Sequence, residues 1–344
     1  MSSVSATAVA GAAGDLAGFA PMSVTFVSSQ DGFVLGQIAC PSTICYGLAK
    51  TTDGGRSWTF VADLPVAPAN SQPITKVRFA DARDGWAFGP QLWATHDGGV
   101  TWKQMAQPGP VADVEASAGV VYALAATCGA QPCAGGGRLS RAVVATDAWA
   151  AVPGIAVKPS GTIALHGHAV WVVSGGDNGE VFVASADGAS WHVIADPCPA
   201  AGADLQIGGV APVSTSAVFL LCAGNPGAGS ESKLVLFSTD GGATSHATTA
   251  APGRGGIAGG IAAASASVVA VSAQSGASWI YRSGTAGRSW TSAFERGDGG
   301  LGIGDLGFTT STQGVAIYGA PGNSDPSQLL MTRDAGATWA PVVF

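Results

Sequence analysis

Charge is scarce in this chain of 344 residues: Asp, Glu, Lys and Arg together make up 11%, and the formal balance is −7. The 15 Lys and Arg are scattered singly. No basic cluster exists to neutralise phosphates, which argues against nucleic acid or an anionic membrane surface as a partner. Long hydrophobic runs are missing as well. The most apolar stretch, "IAGGIAAASASVVAVSA" from Ile257, is broken by Gly and Ser and reads as strands rather than a membrane-spanning helix. The start, "MSSVSATAVAGAAGDLAG", has neither the basic residues nor the apolar core of a signal peptide, and residues 1–19 read as a flexible Ala/Gly/Ser lead-in. Helical periodicity is almost absent. What remains is 47% hydrophobic residues with 51 Gly, a globular chain of many turns and too apolar for disorder.

A short motif organises it. "TTDGGRSW" at 51–58 recurs as "THDGGVTW" at 95–102 and "TRDAGATW" at 332–339. Weaker copies are "ATDAW" ending at Trp149, "SADGASW" at 185–191, "STDGGATS" at 238–245 and "SGTAGRSW" at 283–290. Their last positions, 58, 102, 149, 191, 245, 290 and 339, are 44, 47, 42, 54, 45 and 49 residues apart. That period, with one turn motif per unit, marks a propeller or array. Upstream of each motif lie short apolar segments such as "ITKVRFA" at 74, "DGWAFG" at 84 and "HAVWVVSG" at 168. Each unit therefore reads as strands a, b and c, the motif turn, then strand d. The predicted fold is all-β, a seven-bladed β-propeller of four antiparallel strands per blade with the motifs as c–d turns. Blades are placed at about 20–64, 70–108, 110–153, 155–197, 203–252, 254–297 and 300–344 of a single domain.

The pattern Ser/Thr-x-Asp-x-Gly-x-Thr/Ser-Trp resembles the Asp-box, or BNR repeat, of sialidase-like propellers and of the photosystem II stability/assembly-factor type. Copies one, two and seven match fully; copy five has Ser245 where Trp is expected and copy six has Thr285 for Asp. Within the box, the carboxylate can accept hydrogen bonds from its own turn, Gly supplies the turn's backbone, and Trp opens strand d and buries its ring. Asp53, Asp97, Asp187, Asp240 and Asp334, with Trp58, Trp102, Trp191, Trp290 and Trp339, are accordingly read as framework.

In such a blade the a–b and c–d turns share one face and the b–c and d–a loops the other. From the strand b aromatic to the box Asp position the count runs from 11 residues (Trp86 to Asp97) through 20 (Phe33 to Asp53) and 21 (Phe219 to Asp240) to 25 (Tyr122 to Asp147). Variable b–c loops mark the face opposite the boxes as the working one. The six cysteines fall on that face, and proximity selects Cys40–Cys45, Cys128–Cys133 and Cys198–Cys222 from the 15 possible pairings. Neither C-x4-C spacing suits a zinc ribbon and no His lies beside them, so no metal is expected. Paired cysteines point to an oxidising, extracellular or cell-surface location.

No catalytic set assembles in the sequence. There are four Tyr and four Glu with none adjacent, and Arg56, Arg288 and Arg333 lie in boxes. Charged residues near the starts of the a strands are the candidates for a polar pocket at the channel mouth: Lys76, Asp113, Glu115, Lys158, Asp204, Arg254 and Asp305. Were the chain an enzyme, Asp113, Glu115, Asp204 and Asp305 would be its carboxylates. All ten Trp are assigned to boxes or strands, leaving no aromatic platform for a sugar. The expectation is a monomeric, cofactor-free binding or scaffold propeller for a protein or glycan ligand. The alternative is a glycoside hydrolase or lyase of the Asp-box propeller type.

Overall fold

The computed structural model describes residues 16–39, 44–64, 74–128, 136–175, 181–202, 204–297, 299–321 and 327–344. Seven four-stranded antiparallel sheets follow one another along the chain, each in the order its strands are made. Blade one is Ala20–Phe26, Gly32–Ala39, Ile44–Thr51 and Thr59–Asp63. The inner strands of the remaining blades are Lys76–Phe79, Val111–Ser117, Ser160–His166, Gln206–Pro212, Ile257–Ser265 and Ile303–Phe308. The second strands are the most deeply covered; Gly85–Phe88 and Ala169–Gly175 are buried at every position. Apolar runs of this kind suit a sheet packed on both faces. Helix among the described residues is one turn, Cys198–Ala201.

A propeller is held by the seams between blades, and each of the seven seams here is one apolar cluster. The box tryptophans reach backwards into the preceding blade. Trp58 of blade one joins Leu329 and Met331 of blade seven, and Trp102 of blade two joins Leu48 of blade one. Likewise Trp290 meets Val235 and Trp339 meets Ile280. At the seam between blades four and five the box has Ser245 instead. Phe182 of blade four occupies the position held elsewhere by Leu48, Val235, Ile280 or Leu329, three residues before the box hydroxyl. Its ring lies beside Gly242, as the ring of Trp102 lies beside Gly99. An aromatic moved across the seam offsets the missing tryptophan.

Among the described residues both ends of the ring come from contiguous segments, with no strand exchanged to close it. Side chains make the closure. Phe19, Val24 and Trp58 pack on Val315, Ile317 and Leu329, and the Phe344 ring lies tilted against Phe19 and Trp58, with centroids 4.9 Å and 5.3 Å away. Arg333 Nη2 adds a hydrogen bond to the carbonyl of Gly54 at 2.6 Å.

Two expectations about loops need correction. The extra length of blade five is strand, not loop: Val218–Gly227 and Ser230–Ser238 form a long hairpin closed by Ala228 and Gly229 at positive φ. Blade one behaves similarly, with eight-residue second and third strands flanking residues 40–43, which lie outside the described set. Counting residues between an aromatic and a box could not separate a longer ladder from a longer loop. Cys198–Cys222 is a disulfide with Cα atoms 5.4 Å apart, tying the turn after blade four to blade five. Cys45 and Cys128 are also disulfide-bonded, while Cys40 and Cys133 lie outside the described residues.

Candidate functional site

The boxes themselves are closed hydrogen-bond systems. In box one Asp53 Oδ1 accepts from the N–H groups of Arg56 (2.9 Å) and Ser57 (3.0 Å), and Oδ2 accepts from Ser57 Oγ (2.6 Å). Thr51 Oγ1 donates to Asp53 and accepts from Gly55 N–H at 2.9 Å. Asp97, Asp187, Asp240 and Asp334 repeat the pattern with Thr101, Ser190, Thr244 and Thr338. In box six Thr285 Oγ1 takes the carboxylate's place and accepts from Ser289 N–H. These bonds hold the box carboxyls well below the usual carboxylate range, to about 2 for Asp187, Asp240 and Asp334. The first box residue, a buried Ser or Thr at 51, 95, 185, 238, 283 and 332, is part of the mechanism of the turn and was not singled out from sequence.

Blade three departs from this pattern. Asp147 (φ 52°) sends its carboxylate across to blade two, 3.1 Å from His96 Nε2 and 3.1 Å from Lys103 Nζ. His96 Nδ1 meets Asp84 at 2.5 Å. Burial lowers the pKa of His96, but the bonds to Asp84 and Asp147 outweigh it and raise the imidazole above its ordinary value.

Among the described residues a charged cluster lies in the channel. Lys76 and Arg78, two apart on the inner strand of blade two, face the same way, as do Asp113 and Glu115 on that of blade three. Arg78 Nε lies 2.7 Å from Glu115, and Arg78 Nη2 lies 3.3 Å from Asp305 of blade seven. Asp305 is the anchor. Its Oδ1 also meets Lys76 Nζ, and its Oδ2 accepts from Ser23 Oγ (2.5 Å) and Val24 N–H (3.0 Å) of blade one. Its backbone sits at φ 47°, where the pairing of Ile303–Phe308 with its neighbour slips between Gly304 and Gly307. A bulge of this kind re-aims a side chain, and Asp is among the few residues that tolerate the left-handed region. Burial raises the Asp305 pKa, yet Arg78 and Lys76 overcome it and hold the carboxyl far below the ordinary range. Asp113 is the opposite case. Burial first, then the charge of Glu115, push it up to about 7, against the pull of Arg78 and the Ile163 N–H at 2.7 Å.

Of the sequence candidates, the structure brings together Lys76, Asp113, Glu115 and Asp305. Lys158, Asp204 and Arg254 precede the inner strands of blades four, five and six; among the described residues, the ion pairs of this cluster join Lys76, Arg78, Glu115 and Asp305. The reading missed Arg78 and Ser23. The signal for Arg78 was present in the K-V-R alternation of its strand; Ser23, a buried hydroxyl in an apolar strand, carried none. A cavity of about 240 Å³ adjoins the cluster, lined by Val24, Phe26, Arg78, Glu115, Asp305 and Phe308 among others. Its walls follow the ends of inner strands that lead into a–b turns, so it lies toward the box-bearing end of the channel rather than the opposite mouth. Chemically, Asp305 is a satisfied counter-ion: both oxygens are engaged and the side chain is 2% exposed. Among the described residues no group of three His, Cys, Asp or Glu is placed to hold a metal ion, and no helix is long and apolar enough to cross a membrane.

Fold and site together define a seven-bladed β-propeller with an ion-paired channel. No known family model and no curated protein matches the chain. Solved structures do. One described as "YCF48 bound to D1 peptide" has a TM-score of 0.61 at 17% identity, covering 92% of this chain and 93% of that one. YCF48 from Cyanidioschyzon merolae has 0.61 at 15%, covering 92% and 96%. The β-propeller domain of the trilobed protease from Pyrococcus furiosus, described as having an open velcro topology, has 0.54 at 8%, covering 92% and 93%. At these identities the likeness is one of fold.

Proposed function

We propose that this chain is a non-enzymatic binding or scaffold propeller that works as a monomer outside the cytoplasm and recognises a protein, with a glycan as the other ligand class considered. The observation that carries the reading is the state of the channel acids. Asp305 spends both oxygens on Lys76, Arg78, Ser23 and Val24, and Glu115 is paired with Arg78, so the carboxylates act as cross-blade ties rather than as a free acid and base. A fold-level neighbour described as bound to a peptide lends support to a protein ligand. The Cys198–Cys222 bridge and the disulfide-bonded Cys45 and Cys128 support an oxidising compartment.

The test is direct. The protein is screened for hydrolysis and lysis across a broad glycan panel, and for partners by cross-linked pull-down from native cell surfaces with a glycan array beside it. A defined partner without turnover upholds the reading; sustained turnover overturns it. A second reading, a glycoside hydrolase or lyase, draws on one feature: Asp113 holds its proton toward neutrality while Asp305 stays ionised, and such a split can separate an acid from a base. Turnover abolished by Asp113→Asn in a folded protein would establish it.

A further inference from the structure

A second cavity bordered by described residues lies outside the channel. About 480 Å³ in volume, it lies on blade two between the Gly89–Gln91 turn and the connection from Ala106 to Pro110, on the face opposite the boxes. Among the described residues its lining has no charged side chain: Pro90, Gln91, Leu92, Gln104, Met105 and Gln107 form most of it. The walls are fixed and offer few hydrogen bonds of their own. The carbonyl of Pro90 accepts from Val111 N–H (3.1 Å), that of Pro110 accepts from Ala126 N–H (2.8 Å), and neither proline has an N–H. Gly109 allows this wall to lie against blade three, since a Cβ there would meet the carbonyl oxygen of Cys128.

The donors come from glutamine. Gln91 Oε1 accepts from Trp93 Nε1 at 3.2 Å, which leaves its N–H groups to offer. Gln107 lines the cleft, and its Nε2, covered from solvent, has no partner, so a turn of the side chain toward a carbonyl would satisfy it. Beside them runs Lys103–Met105, the outermost strand of its sheet, paired on one side only among the described residues. Among the described residues, no aromatic ring lines the cleft for sugar stacking and no cation lines it for an anion.

We propose that this cleft binds an uncharged, extended peptide segment. Its backbone carbonyls take the free N–H groups of Gln91 and Gln107, an apolar side chain lies on Leu92 and Met105, and its main chain adds to the open edge of Lys103–Met105. The inference deepens the protein-binding reading and rests on it. Rigid walls favour such binding because little is left to order.

A phage library of short random peptides, panned on the oxidised protein, tests the site. Enriched peptides are expected to lack Asp, Glu, Lys and Arg, and to lose affinity about tenfold or more on methylation of alternate backbone nitrogens. They are expected to weaken similarly on Ala106→Glu, which adds a charge at an exposed rim position, and on Gln107→Leu, which removes the donor at similar size. Val193→Ser, at an exposed position on the outer strand of blade four, should leave their affinity unchanged. Peptides that are charged, or that keep their affinity on both Ala106→Glu and Gln107→Leu, would overturn the cleft while leaving the protein-binding reading in place. Failure to enrich any peptide also overturns the cleft, and the pull-down then decides the wider reading separately.

Discussion

Asp305 of blade seven reaches past the inner strand of blade one to form an ion pair with Lys76 of blade two at 2.5 Å. With Arg78 and Ser23 it links the two chain-terminal blades to the next one, in a ring that no exchanged strand closes. Polar ties in the channel and the Phe19–Trp58–Phe344 cluster outside it therefore share the closure.

The first expected outcome concerns that anchor. Asp305→Asn keeps the shape and the tolerance for positive φ but leaves Lys76 and Arg78 without their shared counter-ion. Breaking a buried pair by removing one partner costs about 3 kcal/mol or more. Urea unfolding should show a loss of that order, and a variant as stable as wild type would remove Asp305 from the closure.

Asp113 gives a pH signature. Its folded pKa of about 7 lies above the unfolded value of 3.8, so between the two the native state holds more protons and stability falls as pH rises. Asp113→Asn should flatten that slope in melts taken from pH 4 to about 7. An unchanged slope would mean the carboxyl is ionised throughout.

His96 acts at higher pH with its own sign. Its pKa is raised by Asp84 and Asp147, so the stabilisation is complete below the unfolded value of 6.5 and is lost as pH rises through the folded one. His96→Gln should remove pH dependence in that upper window only. An NMR titration of the imidazole, showing a midpoint at or below 6.5, would contradict it.

The boxes make a different kind of test. Thr51→Val removes the acceptor for the half-buried Gly55 N–H and should cost about 1–3 kcal/mol. Trp58→Ala opens a cavity at the closing seam and should cost about 3–5 kcal/mol. Trp58→Phe should cost far less, because the indole N–H is buried without a partner. Calorimetric melts of the three variants check the order.

At the seam between blades four and five, Ser245→Trp alone should destabilise by overpacking against Phe182. Phe182→Leu alone should leave a void. The double variant should recover most of both losses, a coupling that a thermodynamic cycle measures directly. Additive effects would show that Phe182 and position 245 do not share one space.

Much of this protein was legible in its sequence, because a propeller is a local structure repeated. The "TTDGGRSW" turn, the alternating strands and the spacing of the box tryptophans each depend on neighbours a few residues away, so seven blades could be counted without coordinates. The same local alternation carried a signal that was not used: it places Arg78 beside Lys76, and Asp113 beside Glu115, on common strand faces. What only the tertiary structure decided is which faces meet. Asp305 and Lys76 are 229 residues apart, and their pairing depends on ring closure and on a bulge at Gly304–Gly307 that no periodicity reports. The same holds for Asp147, whose box-like sequence hid a side chain turned to His96 of the neighbouring blade. Local rules determined the blades; long-range packing, with the electrostatics that burial strengthens, determined what the charged residues do.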